Sequence, residues 1–112
     1  MYAANSHSRA RKLNPYLIND LTNASPAQLI MKVYDFAILN CQKHNMLKTN
    51  EALQVLIDNL NFTDEAAKEI SLGLMRLYLY CQEQMRKENF EAVYKTLTEL
   101  RDTWRMALQS RK

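Results

Sequence analysis

The sequence NFEAVYKTLTELRDTWRMALQS, residues 89–110, carries the most regular apolar pattern of the chain. Its apolar side chains recur at alternating spacings of three and four residues, and they are Phe90, Val93, Leu97, Leu100, Trp104 and Ala107. That spacing places them on one side of an α-helix and is typical of helices that pack along their whole length. It predicts a helix over residues 90–110, with Asn89 as its N-cap and Trp104 in the core.

Apolar residues at helical spacing predict three further helices, over residues 26–44, 46–61 and 64–87. The first begins with Ser25 as N-cap and Pro26 at its first position, and Gln28 completes a capping box. Thr63 is the predicted N-cap of the third helix. Short connections make successive helices antiparallel neighbours. We therefore expect an all-α fold, in which residues 13–112 form one up-down-up-down four-helix bundle with an N-terminal apolar segment.

The composition agrees with a small helical domain. The 112 residues are enough for one core, and 47% hydrophobic with 24% charged residues is a globular profile. One glycine and two prolines are too few for the tight turns of a β-sandwich or barrel, and Gly73 alone cannot form a phosphate-binding loop. No apolar run approaches a membrane span of about 20 residues, and no signal peptide is evident, so we expect a cytosolic protein without membrane insertion. The sequence shows no internal repeat.

The net charge of +3 is concentrated at the N-terminus. Residues 1–12 contain Arg9, Arg11 and Lys12 and no acidic side chain, and they are predicted to be a flexible basic tail. The remaining 12 basic side chains balance the 12 acidic ones. A nucleic-acid-binding domain more often carries a basic stripe on its folded surface, so no nucleic-acid partner is expected.

Residues that could carry catalysis or hold a metal are scattered. Cys41 and Cys81 fall at apolar helical positions and are predicted to be reduced core thiols. His7 and His44 have no histidine or cysteine partner at ligand spacing, and the chain has no Glu-x-x-His pair of the kind that holds metals in helical bundles. We therefore expect no enzyme activity, no metal site and no cofactor.

The apolar surface exceeds what a bundle of this size needs. On a helical wheel the first helix has an apolar arc of roughly 200°, and the third helix has a second apolar stripe roughly 145° from its core stripe. Six residues are predicted to contact a partner, and they are Leu72, Met75, Leu79, Met31, Ile38 and, on the fourth helix, Met106. The N-terminal segment adds an apolar group outside the helices, formed by Leu13, Tyr16, Leu17 and Ile18.

Two interpretations of this surplus remain open from composition alone. The extra stripes can form a groove for the amphipathic helix of another protein. Alternatively, the chain is a structural or regulatory bundle that buries the stripes in a weak homodimer, or in a groove filled by its own N-terminal segment. In both cases we expect the second stripe of the third helix to be partly exposed, and Leu74, Tyr78 and Cys81 to be buried.

Five short segments, in order along the chain, resemble the flagellin export chaperones, the FliS family. Residues 23–30 (NASPAQLI) and 33–38 (VYDFAI) are similar to the family's "TASP-x-x-L" and "(L/M)YDGAI" motifs. Residues 77–80 (LYLY) are similar to "LYxYM", and residues 100–104 (LRDTW) to "LRxAW". Tyr16 resembles the tyrosine of the family's N-terminal segment. The chain departs from the family at Phe36, where members usually have glycine.

The resemblance implies a specific function. Members of the family are cytosolic helical bundles that bind the C-terminal region of flagellin as helices and prevent its premature polymerisation. They deliver it to the gate of the flagellar type III export apparatus. The family's N-terminal segment covers part of the binding surface when cargo is absent and takes part in gate recognition. By this resemblance, residues 13–18 are expected to act as a latch and to contact the export gate.

Overall fold

The computed structural model describes residues 27–109, and these residues form four α-helices with no strand among them. The helices are α1 (Ala27–Gln42), α2 (Met46–Asp58), α3 (Glu65–Arg86) and α4 (Phe90–Gln109). Packing runs around a ring, since α1 and α3 each pack chiefly against both α2 and α4. The predicted all-α four-helix bundle is therefore confirmed. The predicted cap at Ser25 and Pro26, the basic tail and the N-terminal segment lie outside the described residues.

The α1–α2 and α3–α4 connections are built in the same way. At the end of α1 the amide of His44 donates to the carbonyl of Cys41, and the amide of Asn45 donates to the carbonyl of Asn40, both at 2.9 Å. These two bonds make a Schellman motif, in which one residue takes a left-handed conformation. That residue is His44, with φ of 58°. Glu88 has the same role after α3, with φ of 61° and equivalent hydrogen bonds of 3.0 and 2.8 Å.

The left-handed residue explains why the first helix is shorter than predicted. A helix cannot continue through a residue with positive φ, so α1 ends at Gln42 instead of residue 44. Asn45 then caps α2, because its side-chain oxygen accepts a hydrogen bond from the amide of Lys48 at 3.1 Å.

The α2–α3 connection also differs from the prediction. The helix α2 ends at Asp58 instead of residue 61, and the side-chain oxygen of Asn61 accepts from both the amide and the hydroxyl of Thr63, at 2.9 and 2.8 Å. Thr63 is therefore not the N-cap of α3. Asp64 is the cap, and its carboxylate accepts from the amide of Ala66 at 2.9 Å.

The two helical hairpins are equivalent under a shift of 44 residues. Every buried residue between Ile30 and Leu60 has a buried counterpart 44 positions later, except Asn40, whose counterpart Gln84 is half-buried. The identical pairs at this shift are Met31/Met75, Tyr34/Tyr78, Lys43/Lys87, Asn45/Asn89, Leu53/Leu97, Leu56/Leu100 and Asp58/Asp102. What repeats at this shift is chiefly the pattern of burial, with few residue identities.

Two residues that correspond under this shift meet in the core. They are Tyr34 and Tyr78, and their hydroxyl oxygens lie 2.6 Å apart. The shift pairs α1 with α3 and α2 with α4.

A buried chain of hydrogen bonds joins three of the helices in the core. The indole nitrogen of Trp104 donates to the hydroxyl oxygen of Tyr34 at 2.8 Å, and that hydroxyl in turn contacts Tyr78. All three side chains are buried, and Trp104 is 2% exposed, so its predicted core position is confirmed. Burial raises the pKa of Tyr34 and of Tyr78 above the usual value of 10.0. Both hydroxyls therefore stay protonated near neutral pH and serve the hydrogen bonds.

The left-handed turn after α3 predicts a stabilising substitution. Glu88→Gly should raise the free energy of unfolding by about 1 kcal/mol, because glycine adopts positive φ without the steric cost that a side chain brings. Urea denaturation followed by circular dichroism measures the change. Glu88→Ala is the matched control, since alanine keeps the steric cost, and it should leave the stability close to that of the wild type. Equal stability of the glycine and alanine variants would contradict this account of the turn.

Buried thiols predict a loss of stability at alkaline pH. Burial raises the pKa of Cys81 to about 12, from an ordinary value of 9.0 that we expect in the unfolded chain. Below about pH 9 the thiol is protonated in both the folded and the unfolded chain, and the free energy of unfolding does not depend on its titration. Above about pH 9 only the unfolded chain ionises, which lowers the free energy of unfolding by about 1.4 kcal/mol per pH unit. The free energy of unfolding should therefore decline between about pH 9 and 10, and Cys81→Ala should reduce that slope. An identical slope in both proteins would refute the assignment.

Candidate functional site

The outer stripe, defined as Leu72, Met75 and Leu79, lies along α3 away from the bundle centre. Leu79 is 46% exposed, and the other two residues are half-buried. Leu74, Tyr78 and Cys81 of the core stripe are at most 2% exposed. The predicted division between partly exposed and buried positions of this helix is therefore confirmed.

Hydrogen bonds of Gln82 show on which side of α3 the outer stripe lies. The Gln82 side-chain nitrogen donates to the side-chain oxygen of Gln54 at 3.2 Å and to the carbonyl of Asn50 at 3.1 Å, so this side of α3 faces α2. Leu79 and Met75 precede Gln82 by three and seven residues, which is the spacing of one helix face. The outer stripe therefore lies beside the side of α3 that faces α2.

The residue of α2 opposite Leu79 follows from the register of the two helices. Gln54 and Gln82 lie opposite each other across this antiparallel pair. The two helices are antiparallel, so a step of three residues forward from Gln54 matches a step of three residues back from Gln82. By this count Ile57 lies opposite Leu79. Ile57 is half-buried against the core. The face between α2 and α3 is therefore apolar at Ile57 and the outer stripe, and it has a polar end at Asn50, Gln54 and Gln82.

The polar end of this face has an unused acceptor. The side-chain nitrogen of Asn50 donates to the carbonyl of Gln82 at 3.3 Å. Its side-chain oxygen is buried and has no hydrogen-bond partner. A buried acceptor without a partner is uncommon in folded proteins and calls for an explanation. A donor from a bound partner is one group that would satisfy it.

The equivalent face of the other hairpin differs at two of the three stripe positions. The counterparts of Leu72, Met75 and Leu79 on α1 are Gln28, Met31 and Asp35. The two methionines are both half-buried against the core, so they have the same packing role. Gln28 and Asp35 are exposed. Polar residues therefore occupy the α1 positions that correspond to Leu72 and Leu79.

Three of the predicted contact residues do not join the outer stripe. Ile38 is 6% exposed and belongs to the core, so it offers no accessible surface for a partner. Met31 lies on the side of α1 that faces α4, because Asp35, four residues later, pairs with Arg101 of α4 at 3.4 Å. Met106 is 67% exposed on α4, beside a cavity of about 270 Å³. The six residues thus form no single surface, and the partly exposed ones that share a helix face are the three of the outer stripe.

A second apolar groove that the sequence analysis missed lies between α1 and α2. It has a volume of about 320 Å³ and is lined by Lys32, Val33, Phe36, Glu51, Ala52 and Val55. Phe36 is 47% exposed there. It belongs to α1, whereas the outer stripe lies along α3, so Phe36 is not part of the face between α2 and α3.

A cavity of about 620 Å³ opens at the end of the bundle, between the α1–α2 and α3–α4 turns. The rings of His44 and Phe90 stack there with centroids 4.0 Å apart, and the thiol of Cys41 donates to the carbonyl of Phe90 at 3.3 Å. Burial raises the pKa of Cys41, so it remains a thiol near neutral pH and is not an activated nucleophile. Within residues 27–109 no three His, Cys, Asp or Glu side chains are grouped to hold a metal ion.

The comparisons with known proteins found no relative of this chain. No protein-family model, no curated protein and no solved structure matches the chain. In the part of the chain that the structure describes, no helix has both the length and the apolar character needed to cross a membrane. The predicted N-terminal group of Leu13, Tyr16, Leu17 and Ile18 lies outside the described residues.

Substitutions on the two faces of α3 should separate surface from core. Leu79→Lys should change the free energy of unfolding by less than about 0.5 kcal/mol, because the side chain is half-exposed and leaves no cavity. Leu74→Ala should cost about 2–5 kcal/mol, because Leu74 is 2% exposed within the core. Chemical denaturation of both variants measures the difference. Unfolding of the Leu79→Lys variant would place Leu79 in the core and remove the outer stripe from consideration.

Proposed function

We propose that the chain is a cytosolic export chaperone that binds the C-terminal region of flagellin and delivers it to the flagellar type III export gate. The observation that carries this proposal is the outer stripe, which is apolar and at least partly exposed, whereas two of the three corresponding α1 residues, Gln28 and Asp35, are polar. The sequence resemblance to flagellin export chaperones supports the identity of the cargo. The four-helix architecture agrees with the fold that the resemblance implies.

The shape of the face between α2 and α3 suits a helical partner. Leu72, Met75 and Leu79 are spaced by three and four residues, so they form a straight apolar row about two helical turns long. A row of this kind accepts the apolar side chains of an amphipathic helix that lies alongside it. Ile57 of α2, which the register places opposite Leu79, is partly buried and packs against the core.

The binding energy of such a partner comes from the apolar surface that remains exposed. Complete burial of a leucine side chain stabilises by about 1.5–3 kcal/mol, so covering the exposed part of Leu79 contributes about 1 kcal/mol. A flagellin segment that is disordered when free must also be ordered on binding, and this ordering lowers the affinity. A segment held as a helix against the chaperone has its apolar face covered, and this is how the chaperone would prevent polymerisation.

Titration of the full-length protein with a synthetic peptide of the flagellin C-terminal region tests the proposal. Isothermal titration calorimetry should show binding to the wild type and a clear loss of affinity for Leu79→Lys. Leu39→Lys is the matched control, because Leu39 is similarly exposed at 50% but lies on α1, diagonally across the bundle. Met106→Lys asks whether the binding surface extends to α4.

The outcomes of this titration discriminate between the two functions considered. Absence of binding to the wild type, or an equal loss in the Leu79→Lys and Leu39→Lys variants, would refute the proposed site. A protein that forms a dimer by light scattering, and becomes a monomer when Leu79 is replaced by Lys, would instead support the self-associating bundle.

The N-terminal segment completes the proposal as a latch. Leu13, Tyr16, Leu17 and Ile18 are apolar and precede the helices, and exposure of such a group in water is unfavourable. We propose that the segment covers the binding surface in the free chaperone and contacts the export gate once cargo has displaced it. Its docking then competes with cargo and lowers the apparent affinity.

Removal of residues 2–19 should leave peptide binding equal or tighter, while flagellin export in cells falls. Both effects follow if the segment competes with cargo and also serves the gate. Hydrogen exchange of residues 13–21, with and without the peptide, gives an independent measurement. Protection that stays the same or rises when the peptide binds would identify the segment as a fixed structural cap and not a latch.

A further inference from the structure

Exposed apolar side chains are concentrated on one side of the α1–α2 hairpin. Phe36 and Val55 line the groove of about 320 Å³ between these helices, and both are exposed. Leu29 lies seven residues before Phe36 and Leu39 lies three residues after it, so both belong to the same side of α1. They are 52% and 50% exposed. A contiguous exposed apolar surface of this kind marks a site of interaction with another protein.

The charged side chains on the same side of the hairpin are balanced. Lys32 and Glu51 line the groove. Lys48 lies three residues before Glu51 and Asp58 lies seven residues after it, so both are on this side of α2. All four are exposed, and none forms an ion pair with another of residues 27–109. These four charged residues and the four apolar ones above are together named the hairpin face, and because its charges cancel it favours no partner of one sign.

The connection between α1 and α2 decides which of their residues lie at the same level. Counting outward from residues 43–44, Phe36 and Glu51 are each seven residues away, and Lys32 and Val55 are each eleven residues away. The members of each pair are therefore level with each other across the groove that all four line. By the same count, position 34 of α1 is level with position 53 of α2.

The residues of the hairpin face are arranged symmetrically about this level. In α1, Leu29 and Leu39 lie five residues on either side of position 34, and in α2, Lys48 and Asp58 lie five residues on either side of position 53. A twofold axis at this level, perpendicular to the helices, lays each helix antiparallel on its counterpart in a second copy. Leu29 then faces the partner's Leu39, and Lys48 faces the partner's Asp58. The axis forms each of these contacts twice.

The same axis places the remaining residues of the hairpin face without a clash of charges. Lys32 and Phe36 lie two residues on either side of position 34, so Lys32 faces the partner's Phe36. A lysine ammonium beside an aromatic ring is a favourable contact. Glu51 faces the partner's Val55, so no two charges of the same sign meet on either helix. The hairpin face is therefore complementary to a second copy of itself.

The size of the hairpin face fits a weak dimer. The two helices have 16 and 13 residues, so they are about 24 and 20 Å long. Each helix with its side chains is about 10 Å across, so the pair presents a face about 20 Å wide. This area is smaller than the roughly 800 Å² that each partner buries in a standard interface. A dimer formed here therefore dissociates on dilution.

We infer that two copies of this chain form a weak antiparallel dimer through the hairpin face, with Leu29 against the partner's Leu39 and Lys48 against the partner's Asp58. The inference goes beyond the proposed function and does not rest on it, because the outer stripe lies on α3 and is not part of the hairpin face. A dimer of this kind leaves both outer stripes free.

Reversal of the paired charges tests the inference. Sedimentation velocity of the full-length protein over a range of concentrations should show a monomer–dimer equilibrium for the wild type. Lys48→Asp and Asp58→Lys should each raise the dissociation constant of the dimer by about tenfold or more, because like charges then meet at both ends of the interface. An equimolar mixture of the two variants should form the dimer again, since opposite charges meet in each mixed pair. Both residues are exposed, so the variants keep the fold.

Two control variants locate the interface. Lys95→Asp makes the same charge reversal at an exposed lysine of α4, and Leu79→Lys changes the outer stripe. Both should leave the dissociation constant of the dimer at the wild-type value. Loss of the dimer in either control would place the interface elsewhere and overturn the inference.

The remaining outcomes also decide the matter. A wild type that stays monomeric at every concentration overturns the inference, as does a dimer that the charge reversals leave unchanged or that the mixture of variants does not restore. If removal of residues 2–19 converts a monomeric wild type into a dimer, the chain's own N-terminal segment covers the hairpin face, and the inference is again overturned. None of these results bears on the proposed function, because peptide binding to the outer stripe is measured separately.

Discussion

The hydrogen-bond chain from Trp104 through Tyr34 to Tyr78 is the constraint on which the rest of the structure depends. It joins α4, α1 and α3 at the centre of the bundle, where all three side chains are buried. Leaving one of these polar groups unpaired costs about 1–3 kcal/mol, so sliding or rotation of one hairpin against the other is opposed. These hydrogen bonds therefore fix one register of the helices against each other. This register decides which residues of α3 face the core and which face outward.

Because the two hairpins share this register, each serves as a control for the other. A position that is apolar in both, such as Met31 and Met75, is explained by packing against the core. Packing against the core does not explain a position that is apolar in one hairpin and charged in the other, such as Leu79 and Asp35. This comparison within one chain distinguishes the exposed Leu79 from the half-buried Met75 of the same stripe.

The sequence predicted the helices and the burial of α3 well, because apolar periodicity reports directly which side of a helix is buried. It failed where the outcome depends on neighbours. A helical wheel places Ile38 and Met31 at the edge of a broad arc, but only the packing of α4 against α1 shows that Ile38 is core and Met31 faces α4. The left-handed residues His44 and Glu88 were missed because glycine, the usual signal, is absent from both turns.

The internal repeat escaped the sequence analysis because equivalent positions conserve burial and not residue identity. Leu60 corresponds to Trp104 and Cys41 to Met85, and each pair differs greatly in volume although all four are buried. The exposed positions have diverged more freely, since a change there costs the fold little. Asp35 and Leu79 are such a pair, since both are exposed and one is charged while the other is apolar. A change at an exposed position of this kind therefore alters the surface chemistry of the bundle while the core beneath it stays the same.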